Sequence, residues 1–245
     1  MEFFGTFILV YLTGLFYVQH AINKISTFEL AAGTFCVVAV MTWIGKSISG
    51  SHYNPAISFS LAITKHLKWS NFLVYSLFQC FAAFFAVSML RFSFSNRVAK
   101  DFLDKTMLGF PKVETDVWTM ILFEVIGTFF IVFAYYLLVL EKNAPRHVYG
   151  AGMGAVAFVT MLFAIKKTGS GLNPAKMFAY CFLTKSFGIG SIYISAPLAG
   201  AAIGALVGNL LLSENAATSR LKKKQEKRRK TLAAVAKSKN TVEEI

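Results

Sequence analysis

Two short stretches of this sequence share the same opening and decide its fold. Residues 54–64 read NPAISFSLAIT, and residues 173–183 read NPAKMFAYCFL. Asn is a good N-cap and Pro is well placed in the first turn of a helix, so each stretch predicts a short helix of a few turns. Each also follows a Gly- and Ser-rich loop, which makes irregular backbone before the helix.

Apolar stretches surround these two segments. The chain is 245 residues long, 56% hydrophobic and only 15% charged, with a mean hydropathy of +0.56, whereas a soluble domain is about 25% charged. This composition excludes a disordered chain. The three cysteines all fall inside apolar runs and are expected to be reduced packing residues, so a disulfide scaffold and a Cys-based metal site are excluded as well. Six stretches reach the length that a membrane-crossing helix needs: 1–20, 28–45, 69–90, 117–140, 147–165 and 187–212.

The two Asn-Pro-Ala helices are too short to cross a bilayer. Irregular backbone at membrane depth is tolerated only where it is buried or lines a water-filled cavity. The pattern therefore predicts an all-α membrane protein, with six transmembrane helices and two half-helices that enter a pore.

The two halves of the chain repeat. Glu2 opens the run EFFGTFILV and Glu124 opens EVIGTFFIV, while GSHYNPA matches GSGLNPA before the two half-helices. Each repeat contains three spans. Because an odd number of spans ends on the opposite side of the membrane from where it began, the second copy must be inverted relative to the first. Inverted repeats with broken helices place the functional site at their interface, near the midplane.

The repeats suggest the domain organisation. We expect a first repeat over 1–90, a connecting loop over 91–116, a second repeat over 117–212 and a basic tail over 213–245. The net charge is +13, and the tail alone holds ten Lys+Arg and four Glu, or +6. Basic segments set membrane topology, so we place both termini in the cytoplasm and expect the bilayer, not nucleic acid, as the partner of this charge.

The two half-helices predict how the pore selects. If they enter from opposite faces, both N-termini meet at the midplane, and each carries about half a positive charge. These ends oppose a cation or a hydronium ion. The amides of Asn54 and Asn173 remain as donors to a passing water, which turns its hydrogens outward and interrupts a proton wire.

The doubled Asn-Pro-Ala motif (Asn54, Pro55, Ala56 and Asn173, Pro174, Ala175), together with the Glu-x-x-Gly-Thr-Phe repeat starts, resembles the aquaporin, or major intrinsic protein, family over residues 1–212. The resemblance implies one pore per subunit, a homotetramer and passive flow of water or of small neutral solutes such as glycerol. We expect no cofactor, no metal site and no enzymatic reaction, because the sequence shows no nucleophile–base pair and no pair of histidines at metal-ligand spacing.

The resemblance also points to a selectivity constriction. It falls on Lys176, where the family normally has Arg, and on Met161, Ser170 and Thr34, although a shift of one residue would choose Phe35. Lys keeps the positive charge but loses the planar fork of Arg. The ring lacks the usual His of strict water channels, which makes a glycerol- or urea-type facilitator the alternative. We expect a water channel, because Met177 stands where the glycerol-conducting branch of the family usually has Asp.

Three ionisable residues have two readings each. Intramembrane carboxylates are candidate functional groups, so Glu2 and Glu124 could carry protons in a coupled transporter. The favoured alternative is that each braces the bent loop before an Asn-Pro-Ala segment, because both halves need that brace. His52 lies at the expected cytoplasmic mouth, where it either lines and gates the pore or packs through a hydrogen bond.

Overall fold

The computed structural model describes residues 1–95, 97, 116–141, 144–145 and 148–243. Within these residues all the regular secondary structure is helical. Eight α-helices follow one another: α1 Glu2–Ala21, α2 Thr27–Gly45, α3 Pro55–Ile63, α4 Trp69–Phe92, α5 Val117–Ala134, α6 Tyr149–Thr168, α7 Pro174–Thr184 and α8 Phe187–Glu243. A π-helical segment, Tyr135–Leu140, continues α5. Most of the connecting loop expected over 91–116 lies outside the described residues.

The part of the chain that the structure describes holds six segments long and apolar enough to cross a membrane. They are α1, α2, α4, α5 with its π-helical continuation, α6 and Phe187–Leu212 of α8. Each predicted span is confirmed to within a few residues at its ends. The sixth span, predicted over 187–212, matches at both ends, although the helix that contains it continues to Glu243.

Each half-helix begins at the Asn-Pro pair that the sequence indicated as its start. The backbone of Asn54 is extended, with φ −154°, and its side-chain oxygen accepts a hydrogen bond from the backbone N–H of Ala56 at 2.9 Å. Asn173 has φ −140° and accepts from Ala175 at 3.0 Å. Each therefore acts as an N-cap, and Pro55 and Pro174 follow in the first turn, where no amide hydrogen is needed.

Glycines set the closest helix contacts. A β-carbon on Gly150 or on Gly154 of α6 would lie 2.7 Å from a carbonyl oxygen of α2, and one on Gly200 of α8 would lie 2.2 Å from the Val125 carbonyl oxygen of α5. Side chains larger than hydrogen do not fit there. Small residues at helix interfaces let backbones approach closely, which is how helices pack in a membrane.

The chain divides into two compact units, Met1–Gly208 and Asn209–Ile245. The first unit contains both Asn-Pro-Ala segments and the helices around them. The second unit is helical as far as Glu243 and holds the lysine- and arginine-rich run that begins at Lys222.

Candidate functional site

One cavity of about 120 Å³ lies among the helices of the first unit. A single water needs roughly 10–15 Å³ of such space, so this volume accommodates several waters in sequence. Both motif asparagines, the four expected constriction residues and His52 border it: Asn54, Asn173, Thr34, Met161, Ser170, Lys176 and His52. The Pro and Ala residues of the two motifs do not line it: Pro55, Ala56, Pro174 and Ala175. Glu2 and Glu124 do not line the cavity and lie behind its loops.

The two asparagines bind each other's loops. Asn54 Nδ2 donates to the Leu172 carbonyl oxygen at 2.9 Å, and Asn173 Nδ2 donates to the Tyr53 carbonyl oxygen at 2.9 Å. One hydrogen of each amide therefore tethers the opposite loop. An amide has two hydrogens, so one donor per asparagine remains for a molecule in the cavity.

The two loops before the half-helices share an unusual backbone. Gly50, Ser51 and Tyr53 have positive φ angles of 96°, 60° and 49°, and the equivalent residues of the second half, Gly169, Ser170 and Leu172, have 74°, 55° and 50°. Four of these six residues carry side chains, for which left-handed backbone is costly, of order 1–3 kcal/mol each. The surrounding contacts must therefore hold both loops in this shape.

Glu124 supplies one set of those contacts. Its Oε1 accepts from the Thr168 hydroxyl at 2.6 Å and from the Gly171 backbone N–H at 3.0 Å, and its Oε2 accepts from the Leu172 backbone N–H at 2.6 Å. The residue is fully buried. A buried carboxylate needs such donors, and here two of them are the backbone amides of the strained loop.

Glu2 makes the equivalent contacts in the first half. Its Oε1 accepts from the Ser49 hydroxyl at 2.6 Å and from the His52 backbone N–H at 3.1 Å, and its Oε2 accepts from the Tyr53 backbone N–H at 2.8 Å. Gln79 adds a fourth donor, with Nε2 at 2.7 Å from Oε2. This contact was not identified from the sequence.

The four expected constriction residues are all buried beside the cavity. Lys176 is 7% exposed, and its Nζ lies 2.9 Å from the Ser170 carbonyl oxygen. The Lys176 ammonium therefore contacts the loop that precedes α7. The Thr34 hydroxyl donates to the Leu30 carbonyl oxygen of its own helix at 2.9 Å.

Tyr17 of α1 is a cavity-lining residue that sequence reasoning missed. Its hydroxyl lies 2.8 Å from the Gly169 carbonyl oxygen, 3.4 Å from Met161 Sδ and 3.5 Å from Lys176 Nζ. A polar aromatic within an apolar run was the available signal, but the same run also holds Tyr11, and such residues also suit a membrane interface. Only packing brings it to the cavity.

His52 lines the cavity and is 6% exposed. Its Nδ1 lies 3.0 Å from the Ser58 hydroxyl oxygen, and its ring centroid lies 5.0 Å from that of Tyr75 and 5.8 Å from that of Tyr135. His52 therefore both borders the cavity and packs through a hydrogen bond, so its position is compatible with both interpretations.

Known proteins resemble this chain along most of its length. The family model described as major intrinsic protein matches residues 1–208. The curated protein "Aquaporin NIP1-4" of Oryza sativa subsp. japonica is 26% identical over 211 residues, which covers 86% of this chain and 75% of the relative. "Aquaporin NIP2-2" of Zea mays is 27% identical over 217 residues, which covers 88% and 71%.

Solved structures give the same fold. The X-ray structure of the aquaglyceroporin from Plasmodium falciparum superposes with a TM-score of 0.74 at 19% sequence identity, covering 84% of this chain and 91% of that one. At this identity the likeness concerns the fold. The family match over 208 residues, the six spans and the paired Asn-Pro-Ala half-helices lead to one conclusion: this chain belongs to the major intrinsic protein family and is a multi-pass membrane channel, not an enzyme.

Proposed function

We propose that the protein is a passive water channel that conducts water in single file and excludes protons. The observation that carries the proposal is the reciprocal pair of hydrogen bonds by which Asn54 donates to Leu172 and Asn173 donates to Tyr53, beside the cavity. These bonds bring the N-termini of α3 and α7 to one place. Both ends point positive partial charge at the cavity, which opposes cations there.

The remaining amide hydrogens of the asparagines are the central donors in this mechanism. A water that accepts from both through its oxygen must point its own hydrogens away from the centre. It cannot then accept a proton from one neighbour and pass it to the next, so the proton wire is interrupted. In this proposal Glu2 and Glu124 keep the loops in shape and carry no protons.

Water flux through proteoliposomes tests the proposal directly. We expect fast shrinkage with a low activation energy in stopped-flow light scattering after a jump in an impermeant osmolyte. A pH-sensitive dye inside the same vesicles should report no proton entry beyond that of empty liposomes. Shrinkage no faster than that of empty liposomes, from correctly folded protein, contradicts the proposal.

Passage of small neutral solutes such as glycerol or urea is a second candidate function. The observation that favours it is the position of Lys176 against the wall, beside residues without the ring His of strict water channels. One solved structure of the same fold is titled an aquaglyceroporin. Rapid re-swelling of the vesicles in glycerol or urea supports this function, and sustained shrinkage excludes it.

We further propose that both termini face the cytoplasm and that four subunits assemble in the bilayer. The basic tail supports the orientation. Large apolar side chains exposed on the helices, among them Trp43, Trp118 and Phe130, leave surface for lipid and neighbouring subunits. Protease protection in sealed vesicles tests the orientation, and native mass measurement with cross-linking tests the tetramer.

A further inference from the structure

The ammonium of Lys176 has three partners, and two of them belong to Tyr17. Nζ lies 2.9 Å from the Ser170 carbonyl oxygen, 3.5 Å from the Tyr17 hydroxyl oxygen and 4.9 Å from the centre of the Tyr17 ring. A buried cation needs polar partners, and the face of an aromatic ring also attracts a cation. Tyr17 and Ser170 together draw the charge toward the wall of the cavity.

The Tyr17 hydroxyl is itself held in place. It lies 2.8 Å from the Gly169 carbonyl oxygen, 3.2 Å from the Ser170 carbonyl oxygen and 3.4 Å from Met161 Sδ. A phenol has one hydrogen to donate. The Gly169 carbonyl oxygen makes the shortest contact and is therefore the best acceptor for this hydrogen. The lone pairs of the hydroxyl oxygen remain for the Lys176 ammonium. One hydroxyl of α1 thus joins α6, the loop before α7 and the first turn of α7.

We propose that Tyr17 is a fifth residue of the constriction, a positioning residue that sets the passage of small neutral solutes by holding the Lys176 ammonium on the wall. The inference rests on the proposed channel function. A lysine has a flexible four-carbon stem, so its position depends on what its head group contacts. Without the hydroxyl, the ammonium gains the freedom to enter the lumen, where it obstructs a solute more than it obstructs water.

Tyr17→Phe removes the hydroxyl and keeps the ring, so packing around α1 changes little. We expect glycerol permeability to fall about fivefold, the effect of losing one ordinary hydrogen bond, and water permeability to fall less. If the wild-type channel excludes glycerol, the fall in water permeability is the measured effect. Tyr11→Phe is the matched control, since Tyr11 lies on the same helix but contacts Ser93, outside the cavity.

A double variant separates positioning from simple structural support. Lys176→Met removes the ammonium, so adding Tyr17→Phe to it should change neither permeability further. If Tyr17 merely supported the fold, the second substitution would lower both permeabilities in either background. Equal effects of Tyr17→Phe with and without Lys176 would therefore overturn the proposal.

Chemical labelling of Lys176 gives a readout that does not depend on conduction. In detergent-solubilised protein, reductive methylation with formaldehyde and mapping of the modified peptides should show Lys176 reacting about fivefold faster in Tyr17→Phe than in wild type. Exposed Lys167 serves as the internal reference. Unchanged labelling overturns the positioning role, and changed labelling with unchanged permeabilities overturns the selectivity role. A non-conducting wild type with the expected labelling refutes the channel function and upholds the positioning.

Discussion

Paired hydrogen bonds, each repeated in the other half of the chain, distinguish this protein at the scale of single residues. The Ser49 hydroxyl donates a hydrogen bond to Glu2, and the Thr168 hydroxyl donates one to Glu124. In each half, the backbone N–H groups of two loop residues donate to the same carboxylate. The same polar arrangement thus occurs twice at the same place relative to an Asn-Pro-Ala segment. A role that both halves need explains the repetition better than a proton pathway, which requires only one carboxylate.

Glu124→Gln tests that role. Gln keeps one oxygen acceptor but presents an NH₂ group to a backbone N–H of Gly171 or Leu172, so at least one buried amide loses its partner, at about 1–3 kcal/mol. We expect lower thermal stability in detergent and, in protein that folds, unchanged passive water flux. A matched control is Glu29→Gln, because Glu29 bonds only within the exposed capping box of α2. Loss of pH-gradient-driven uptake in Glu124→Gln would instead show a coupled transporter.

Asn173→Asp tests the electrostatic barrier. Asp still caps α7 but cannot donate to the Tyr53 carbonyl oxygen, and its negative charge offsets the positive end of the helix, which is worth about half an elementary charge. We expect a leak of protons or small cations into vesicles, with water flux retained. Asn71→Asp on the exposed side of α4 is the control. If vesicles with Asn173→Asp leak protons and small cations no faster than vesicles with the wild type, the proposed mechanism is contradicted.

At the scale of helices, close packing depends on glycines that a helical pattern does not mark as special. Gly150 and Gly154 lie one turn apart on α6 and face carbonyl oxygens of α2, while Gly200 and Gly204 repeat this arrangement on α8 against α5. Such spacing brings two backbones together along a whole turn or more. The helices that enclose the cavity are held at a fixed distance for this reason.

Gly200→Ala tests the helix contact. The added β-carbon would lie 2.2 Å from the Val125 carbonyl oxygen, so the helices must separate, and overpacking of this kind costs about 1–3 kcal/mol. Gly188→Ala in the same helix is the matched control, because nothing lies within 4 Å of its β-carbon. We expect a clear fall in melting temperature for the first variant and none for the second. Equal melting temperatures would show that α8 adapts at this contact.

At the scale of the whole molecule, the cavity belongs to the first of the two compact units. All residues that border the cavity lie between Leu9 and Lys176, inside the unit Met1–Gly208. Conduction is therefore expected to depend on the first unit alone.

Truncation after Leu212 tests this division. The shortened chain retains all six candidate spans, so we expect unchanged water permeability per inserted channel, with the amount of protein in the vesicles measured by quantitative blotting. Insertion in mixed orientations is also expected, since the basic tail is the main topogenic signal. A large loss of permeability per channel would show that the tail supports conduction.

Much of the architecture follows from patterns that are local in the sequence. Long apolar runs identify the six spans, and Asn followed by Pro identifies two half-helices, because helix length and capping depend on neighbouring residues. These expectations and the family were confirmed. The constriction positions came from family resemblance, and their roles remain predictions.

Tertiary structure alone decided which distant groups meet. Asn54 and Leu172 are 118 residues apart, and Tyr17 and Lys176 are 159 apart, so no local pattern links them. Which face of α1 turns toward the cavity depends on the packing of all its neighbours, and so the sequence did not reveal Tyr17. The same holds for Gln79, whose contact with Glu2 forms only because α4 packs against α1. Local chemistry determines the elements of this channel, and long-range packing determines how its constriction is built.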